Sequence, residues 1–208
     1  NPSGAVYDRA ELAALAAVLR QHPQVWILLD ELYEHIWFTE QEPAHWLHVA
    51  PDLKERTLLV NGASKTYAMT GWRIGWGAAP AELIHAMTAV QSQTTSGPNA
   101  IAQAAVLAAL EAKDQSFVST ARSVYARRAK AVTRGFDSIE GLQLLAPQGA
   151  FFAFVHCADL LDSQRPDGVR MASDKDVVDW LLESEGVAAV DGASFGLSPY
   201  FRISIAAS

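Results

Sequence analysis

Cysteine is nearly absent: Cys157 stands alone in 208 residues, so no disulfide can close within the chain. That usage fits a reducing cytoplasm, and Cys157 itself reads as a small packed residue rather than a reactive thiol. Positive charge is also scarce. Sixteen Lys and Arg face 23 Asp and Glu, for a net charge of −7, and no dense basic run interrupts the acidic balance. A nucleic-acid surface is therefore not expected. Long apolar runs are missing as well: "VWILL" at 25–29 is far too short to cross a bilayer, and no signal peptide is visible. Three of the six histidines, His35, His45 and His48, share the stretch "EHIWFTEQEPAHWLH", but spacings of ten and three match no usual zinc pattern. No metal is expected there, and Trp37 and Trp46 are expected to pack the segment. What remains is a globular composition, 50% apolar and 19% charged, enough for one large core or two modest ones.

The chain opens on "NPSG", a turn, and we expect a substantial N-terminal part to precede it. "YDRAELAALAAVLRQH" has helical spacing, with Asp8 and Glu11 placed as a capping box. "PQVWILLDE", "ERTLLVNGAS" and "WRIGWGAA" read as buried strands, while "PAELIHAMTAVQSQ" and "PNAIAQAAVLAALEA" read as helices opened by proline at the first turn. This alternation predicts the α/β class, a mostly parallel sheet flanked by helices on both faces. Ligands of such sheets gather where strands end, and Asp30 and Lys65 both stand at such ends. From about residue 114 the texture changes. A long amphipathic helix, "DQSFVSTARSVYARRAKAVTRGFDSI", leads to "GAFFAFVH", "DKDVVDWLLESEG" and "SPYFRISIA", which read as strand, capped helix and strand. A smaller C-terminal α+β domain, 126–208, is therefore expected after a larger domain, 1–125. The polar stretch at 160–174 is expected to be a mobile loop.

"NGASKTYAMTGWRIGWG" at 61–77 carries the chemistry. A phosphate loop needs glycines that are absent around Lys65, where Ser64 precedes the lysine. Lys65 follows an apolar strand among small residues, where a partly enclosed amine can lose its proton and attack a carbonyl. A solvated surface lysine is the plain alternative. Arg73 lies eight residues on, between Trp72 and Ile74, which suggest a buried backbone. A buried guanidinium needs an anion, and its fork suits a phosphate. An amine for a carbonyl beside a clamp for a phosphate points to pyridoxal 5'-phosphate. The protonated ring nitrogen of that cofactor needs an acid, and Asp30 at the end of "VWILLD" can supply it, the alternative being a cap or a salt bridge. Tyr33, three residues later, offers a phenol to the ring oxygen or is an ordinary half-buried tyrosine.

These stretches, together with "NPSG", "DELYEH", "QGAFFAF" and "SPYFRISIA", occur in one order along the whole chain. In them the sequence resembles the fold-type I pyridoxal-phosphate aminotransferases of class I/II, and most of all the bacterial aspartate aminotransferases with "SKxYAMTGWRIGY". The resemblance implies that Lys65 bonds the cofactor and moves the substrate's proton. It implies that Asp30 pairs with the ring nitrogen, that Tyr33 and Asn1 bond the ring oxygen, and that Ser64 and Arg73 hold the phosphate. Arg202, in "YFRIS", would take the substrate's α-carboxylate, with Asn1 also at the substrate. The implied substrates are an amino acid and a 2-oxo acid, and the implied assembly is a cytoplasmic homodimer whose two domains close on each other.

Parts of the family's pattern fall outside these residues. The aromatic that stacks on the cofactor and a glycine/serine phosphate turn belong upstream of "NPSG". One branch reads the side-chain carboxylate of aspartate with an arginine ahead of the long helix, but "QSQTTSGPNA" contains none. The subgroup uses an upstream basic residue for that purpose. Aromatic or alanine transamination and β-elimination use the same scaffold. A cofactor-sensing domain of a transcription regulator is the non-catalytic alternative, and it calls for a helix-turn-helix that is not visible here.

Overall fold

The computed structural model describes residues 1–206. The chain divides into two compact units, Tyr7–Ala121 and Asn1–Val6 with Arg122–Ser208. Ala207 and Ser208, the end of the expected second domain, lie outside the described residues.

The first unit begins with α1 (Arg9–Arg20), opened by the expected capping box of Asp8 and Glu11. Strand β1 (Ile27–Asp30) leads through a turn to the short helix α2 (Trp46–Val49). A 3-10 turn, Pro51–Arg56, then feeds β2 (Thr57–Gly62). The short helix α3 (Ala63–Thr66) follows directly, and a further 3-10 turn, Thr70–Trp72, precedes β3 (Gly75–Ala78). Helices α4 (Ala81–Thr94) and α5 (Ala100–Glu111) complete the unit, and α6 (Ser116–Phe136) contains its boundary. Proline opens neither α4 nor α5 from inside. Pro80 is the N-cap of α4, and Asn99 caps α5 by accepting from the Ile101 and Ala102 N–H groups.

The fold class is α/β, and the three-stranded sheet is mixed: β1 and β2 pair in parallel, β2 and β3 antiparallel. One face packs on a cluster of Ala16, Ile27, Trp46, Ala50 and Leu53. Arg20 fastens this layer by a forked bond to Asp52, both contacts at 2.8 Å. The strands are not buried on both faces. Alternation turns Ile27 to the covered side and Leu28 to the other, where Leu28 is 65% exposed and all of β3 is exposed.

The second unit holds α6 beyond residue 121, β4 (Gln143–Leu144), β5 (Phe152–His156), α7 (Asp174–Glu185), β6 (Val190–Asp191) and β7 (Tyr200–Ser204). Its four strands form an antiparallel sheet in the order β4-β5-β7-β6. Helix α7 starts in a capping box of Ser173 and Asp176 and stops at Gly186, which is left-handed at φ 67°. Val155, Cys157 and Phe201 pack against Val177 and Val178 of α7 to make the core. Each fully buried large side chain there contributes about 1.5–3 kcal/mol. The polar stretch at 160–174 closes on itself: the Asp162 N–H bonds the Met171 carbonyl, the Met171 N–H bonds the Ser163 carbonyl, and Gln164 bridges Arg170.

Residues 1–6, assigned to the first domain on sequence grounds, pack with this second unit. The Gly4 carbonyl accepts from the N–H groups of Gln148 and Gly149 at 2.8 and 2.9 Å. Gly4 has φ +72°, and a Cβ there would stand 2.6 Å from Pro147 Cβ, so no other residue fits.

Cys157 is fully buried, and burial together with the neighbouring charge of Asp174 pushes its thiol up to about 11. The native protein at pH 8 then holds roughly a hundred times less thiolate than an unfolded chain. Iodoacetamide should therefore label Cys157 quickly in urea and scarcely in buffer, as followed by mass spectrometry. Equal rates would contradict the packing. Among the described residues no helix is long and apolar enough to cross a membrane.

Candidate active site

In the first unit, backbone pairing gathers five of the selected residues at one end of the sheet. Asp30 ends β1 opposite Val60, and the next N–H, of Glu31, bonds the Val60 carbonyl at 2.9 Å. Strand β2 then runs through Gly62 into α3, which carries Ser64 and Lys65. The Ala63 N–H bonds the Ile74 carbonyl at 3.2 Å, bringing the Arg73 turn alongside the start of α3. Tyr33 sits in the turn that leaves β1, where the Ile36 N–H bonds its carbonyl.

Lys65 and Ser64 are half-buried, as the small neighbouring residues suggest. Arg73 departs from expectation in two respects. It is exposed, with Trp72 also 44% exposed, because β3 lies at the sheet's open edge. It also stands before the strand rather than inside it, in a left-handed conformation (φ 55°, ψ 43°). A non-glycine residue there costs on the order of 1 kcal/mol or more, a feature that clusters at binding sites. Its Nη1 donates to the Thr70 carbonyl at 3.0 Å, and no carboxylate among the described residues pairs with it. The turn borders an open cavity of about 590 Å³ lined by Trp72, Arg73, Thr95 and Asn99 among others.

Asp30 is exposed at the end of β1, and its Oδ1 accepts from the Leu32 N–H at 3.2 Å. Sequence reading misses the clamp that steadies this turn. Buried Asn61 donates from Nδ2 to Glu34 Oε1 at 2.5 Å, and its Oδ1 accepts from the Gly62 N–H at 2.7 Å. One side chain thus ties the turn that follows Asp30, at Glu34, to the strand that delivers Lys65. The "NG" of "NGASK" is the only signal for it, and it reads equally as a turn. Beside the clamp, burial pushes the Glu31 carboxyl above its ordinary range; nearby His45 opposes the shift, and the charges of Glu34 and Asp30 add to it.

In the second unit, Asn1 and Arg202 meet, although they stand at opposite ends of the chain. Arg202 Nη1 donates to Asn1 Oδ1 at 2.7 Å. The guanidinium carbon lies 4.3 Å from the centre of the Phe152 ring and 4.7 Å from that of Phe195. Among the described residues no carboxylate pairs with Arg202. Its strand position explains which way it faces: Arg202 pairs with Phe154 across β5, while Phe201 on the alternate face enters the core.

The first unit thus sets an amine and a guanidinium without a carboxylate partner at one end of its sheet, and the second holds a guanidinium against two aromatic rings. A model of the family described as aminotransferase class I and II matches residues 1–208, and the chain belongs to that family. The chain is 48% identical to the aspartate aminotransferase of Rhizobium meliloti (strain 1021) over 208 residues, which is 100% of this chain and 50% of that protein. It is 46% identical to the aspartate/prephenate aminotransferase of Cereibacter sphaeroides over 206 residues, 99% of this chain and 51% of that one. The crystal structure of the aspartate aminotransferase from Rhizobium meliloti superposes with a TM-score of 0.93 at 48% identity, covering 100% of this chain and 52% of that one. A double mutant of the Thermus thermophilus aspartate aminotransferase gives 0.86 at 38% identity, covering 100% and 50%. The chain spans about half the length of the curated relatives it matches.

Proposed function

We propose that the protein, at full length, is a pyridoxal-phosphate-dependent aminotransferase that moves an amino group between aspartate and a 2-oxo acid. One observation carries this reading: Asp30, Lys65 and Arg73 leave adjacent strand ends and turns of one sheet in a family member. The donor set suits the cofactor. A half-buried amine suits its aldehyde, an arginine without a carboxylate partner suits its phosphate, and a strand-end carboxylate suits its ring nitrogen.

When bound, pyridoxal phosphate supplies the electron-withdrawing ring that accepts the pair left as the substrate's Cα–H bond breaks. Lys65 Nζ takes and returns that proton, a general-base contribution of ~10²–10⁴ in rate. Asp30 holds the proton on the ring nitrogen. Tyr33 and Asn1 hydrogen-bond the ring oxygen, while Ser64 and Arg73 hold the phosphate. Arg202 takes the substrate's α-carboxylate, beside Asn1. Aspartate as the amino acid is supported by the names of the relatives, several of which are aspartate or aspartate/prephenate aminotransferases. We assign the protein to the cytoplasm as a homodimer. Large apolar side chains left open on the first unit support further protein against it, among them Ile101 at 74% and Val90 at 64% exposure.

The test is to add pyridoxal phosphate to the full-length protein, reduce with borohydride and map the modified peptide. The label is expected on Lys65; a label on any other lysine overturns the assignment.

A further inference from the structure

Arg202 owes its position to residues far from it in sequence. Phe195 lies in a 3-10 turn, Ala193–Phe195, and its ring is one of the two faces against the guanidinium. The ring also meets Phe154 edge-on at 6.1 Å and 89°. Three backbone N–H groups of this turn are anchored. The Gly192 N–H bonds the Tyr200 carbonyl at 2.6 Å, and the Ser194 N–H bonds Asp191 Oδ1 at 2.8 Å. The third, of Ala193, bonds Oδ2 of Asp174 at 3.1 Å. Gly192 is obligatory for this approach, since a Cβ there would stand 2.7 Å from the Tyr200 carbonyl oxygen.

Asp174 is the unusual member. It is 2% exposed, at the start of α7, and a buried carboxylate costs several kcal/mol unless hydrogen bonds repay it. The N-terminal end of a helix eases that cost without requiring an acid. The bond to Ala193 gives the side chain a specific task, to fix the turn that carries Phe195.

We propose that Phe195 and Asp174 are positioning residues for Arg202: Phe195 holds the guanidinium plane against Phe152, and Asp174 holds the turn that presents Phe195. The proposal rests on Arg202 being the carboxylate site. An arginine held against two aromatic rings loses little further freedom when a carboxylate arrives, so its fork is aligned beforehand. Neither Phe195 nor Asp174 touches substrate in this account.

The experiment uses full-length protein loaded with pyridoxal phosphate. Calorimetry measures the Kd of succinate, an unreactive dicarboxylate, and rapid mixing measures reaction with aspartate and with n-propylamine, which has no carboxylate. Phe195→Leu and Asp174→Ala should each weaken succinate about three- to tenfold, the range of a partly desolvated cation–π contact. Their rates with n-propylamine should match the wild type. Asp174→Asn keeps an acceptor oxygen and should recover succinate binding to within about twofold. In an Arg202→Ala background, Phe195→Leu should have no further effect. Equal losses with n-propylamine, or losses that persist without Arg202, overturn the proposal. If Arg202→Ala weakens succinate while Phe195→Leu does not, the positioning role falls and the carboxylate site stands. If Arg202→Ala leaves succinate unchanged, the carboxylate site itself falls. Should Asp174→Ala fail to fold, half-buried Phe195 still decides the matter.

Discussion

Lys65→Ala, in the full-length and cofactor-loaded protein, is expected to slow conversion of aspartate by at least ~10²–10⁴-fold, the contribution of a positioned general base. Lys65→Arg should be as inactive. It keeps a positive charge on a long stem, yet a guanidinium does not give up its proton and cannot serve as the base. Single-turnover rates with aspartate measure the loss. Exchange of aspartate's α-hydrogen in heavy water isolates the proton step and should fall in parallel. A variant that keeps more than about a tenth of either rate would remove Lys65 from the chemistry, since that loss is far below what a general base supplies. The amine stands where the prediction requires, half-buried on α3 directly after a strand.

Asp30→Asn is expected to give the next largest loss, about 10–10³-fold in kcat with little change in cofactor retention. An opposite charge close to a titrating group favours its protonated form by about 1–3 pKa units, and the carboxamide forfeits that. The substitution separates two roles for Asp30. Its Oδ1 accepts from the Leu32 N–H, and asparagine can do the same. If Asp30 only shapes the turn, Asp30→Asn remains active. If its charge holds the proton on the ring nitrogen, activity falls although the turn persists, and Asp30→Glu recovers part of it. Rates with aspartate, read beside cofactor retention on dialysis, decide between the two.

The local features were legible because their causes are local. The Asp8 and Glu11 capping box, the stop of α7 at Gly186 and the position of Lys65 after a strand each depend on side chains a few residues apart. Pro80 and Pro98 gave the helix starts to within a residue or two, although Asn99 rather than a proline caps α5. Arg73 shows where such reading stops. "WRIGWGAA" has the apolar texture of a strand, but residues 70–72 form a 3-10 turn, Arg73 is left-handed, and pairing begins only at Gly75. "VWILLD" predicted a strand correctly and its burial incorrectly. An apolar run reports that something covers both faces, not that the covering residues lie in the same stretch of chain.

Residue type and short-range order thus determined, from the sequence alone, that an amine and an acid stand at strand ends in an α/β chain and that Arg202 lies within its closing strand. Only the tertiary structure decided the Asn61–Glu34 clamp, the Asn1–Arg202 bond and the two aromatic faces on that arginine. The reason is physical. A cap or a turn is set by torsions and hydrogen bonds within one or two turns of chain, whereas Phe152, Phe195 and Arg202 meet through strand register and a turn anchored by a buried acid. Those contacts follow from packing many distant residues at once, and no short stretch of sequence contains them.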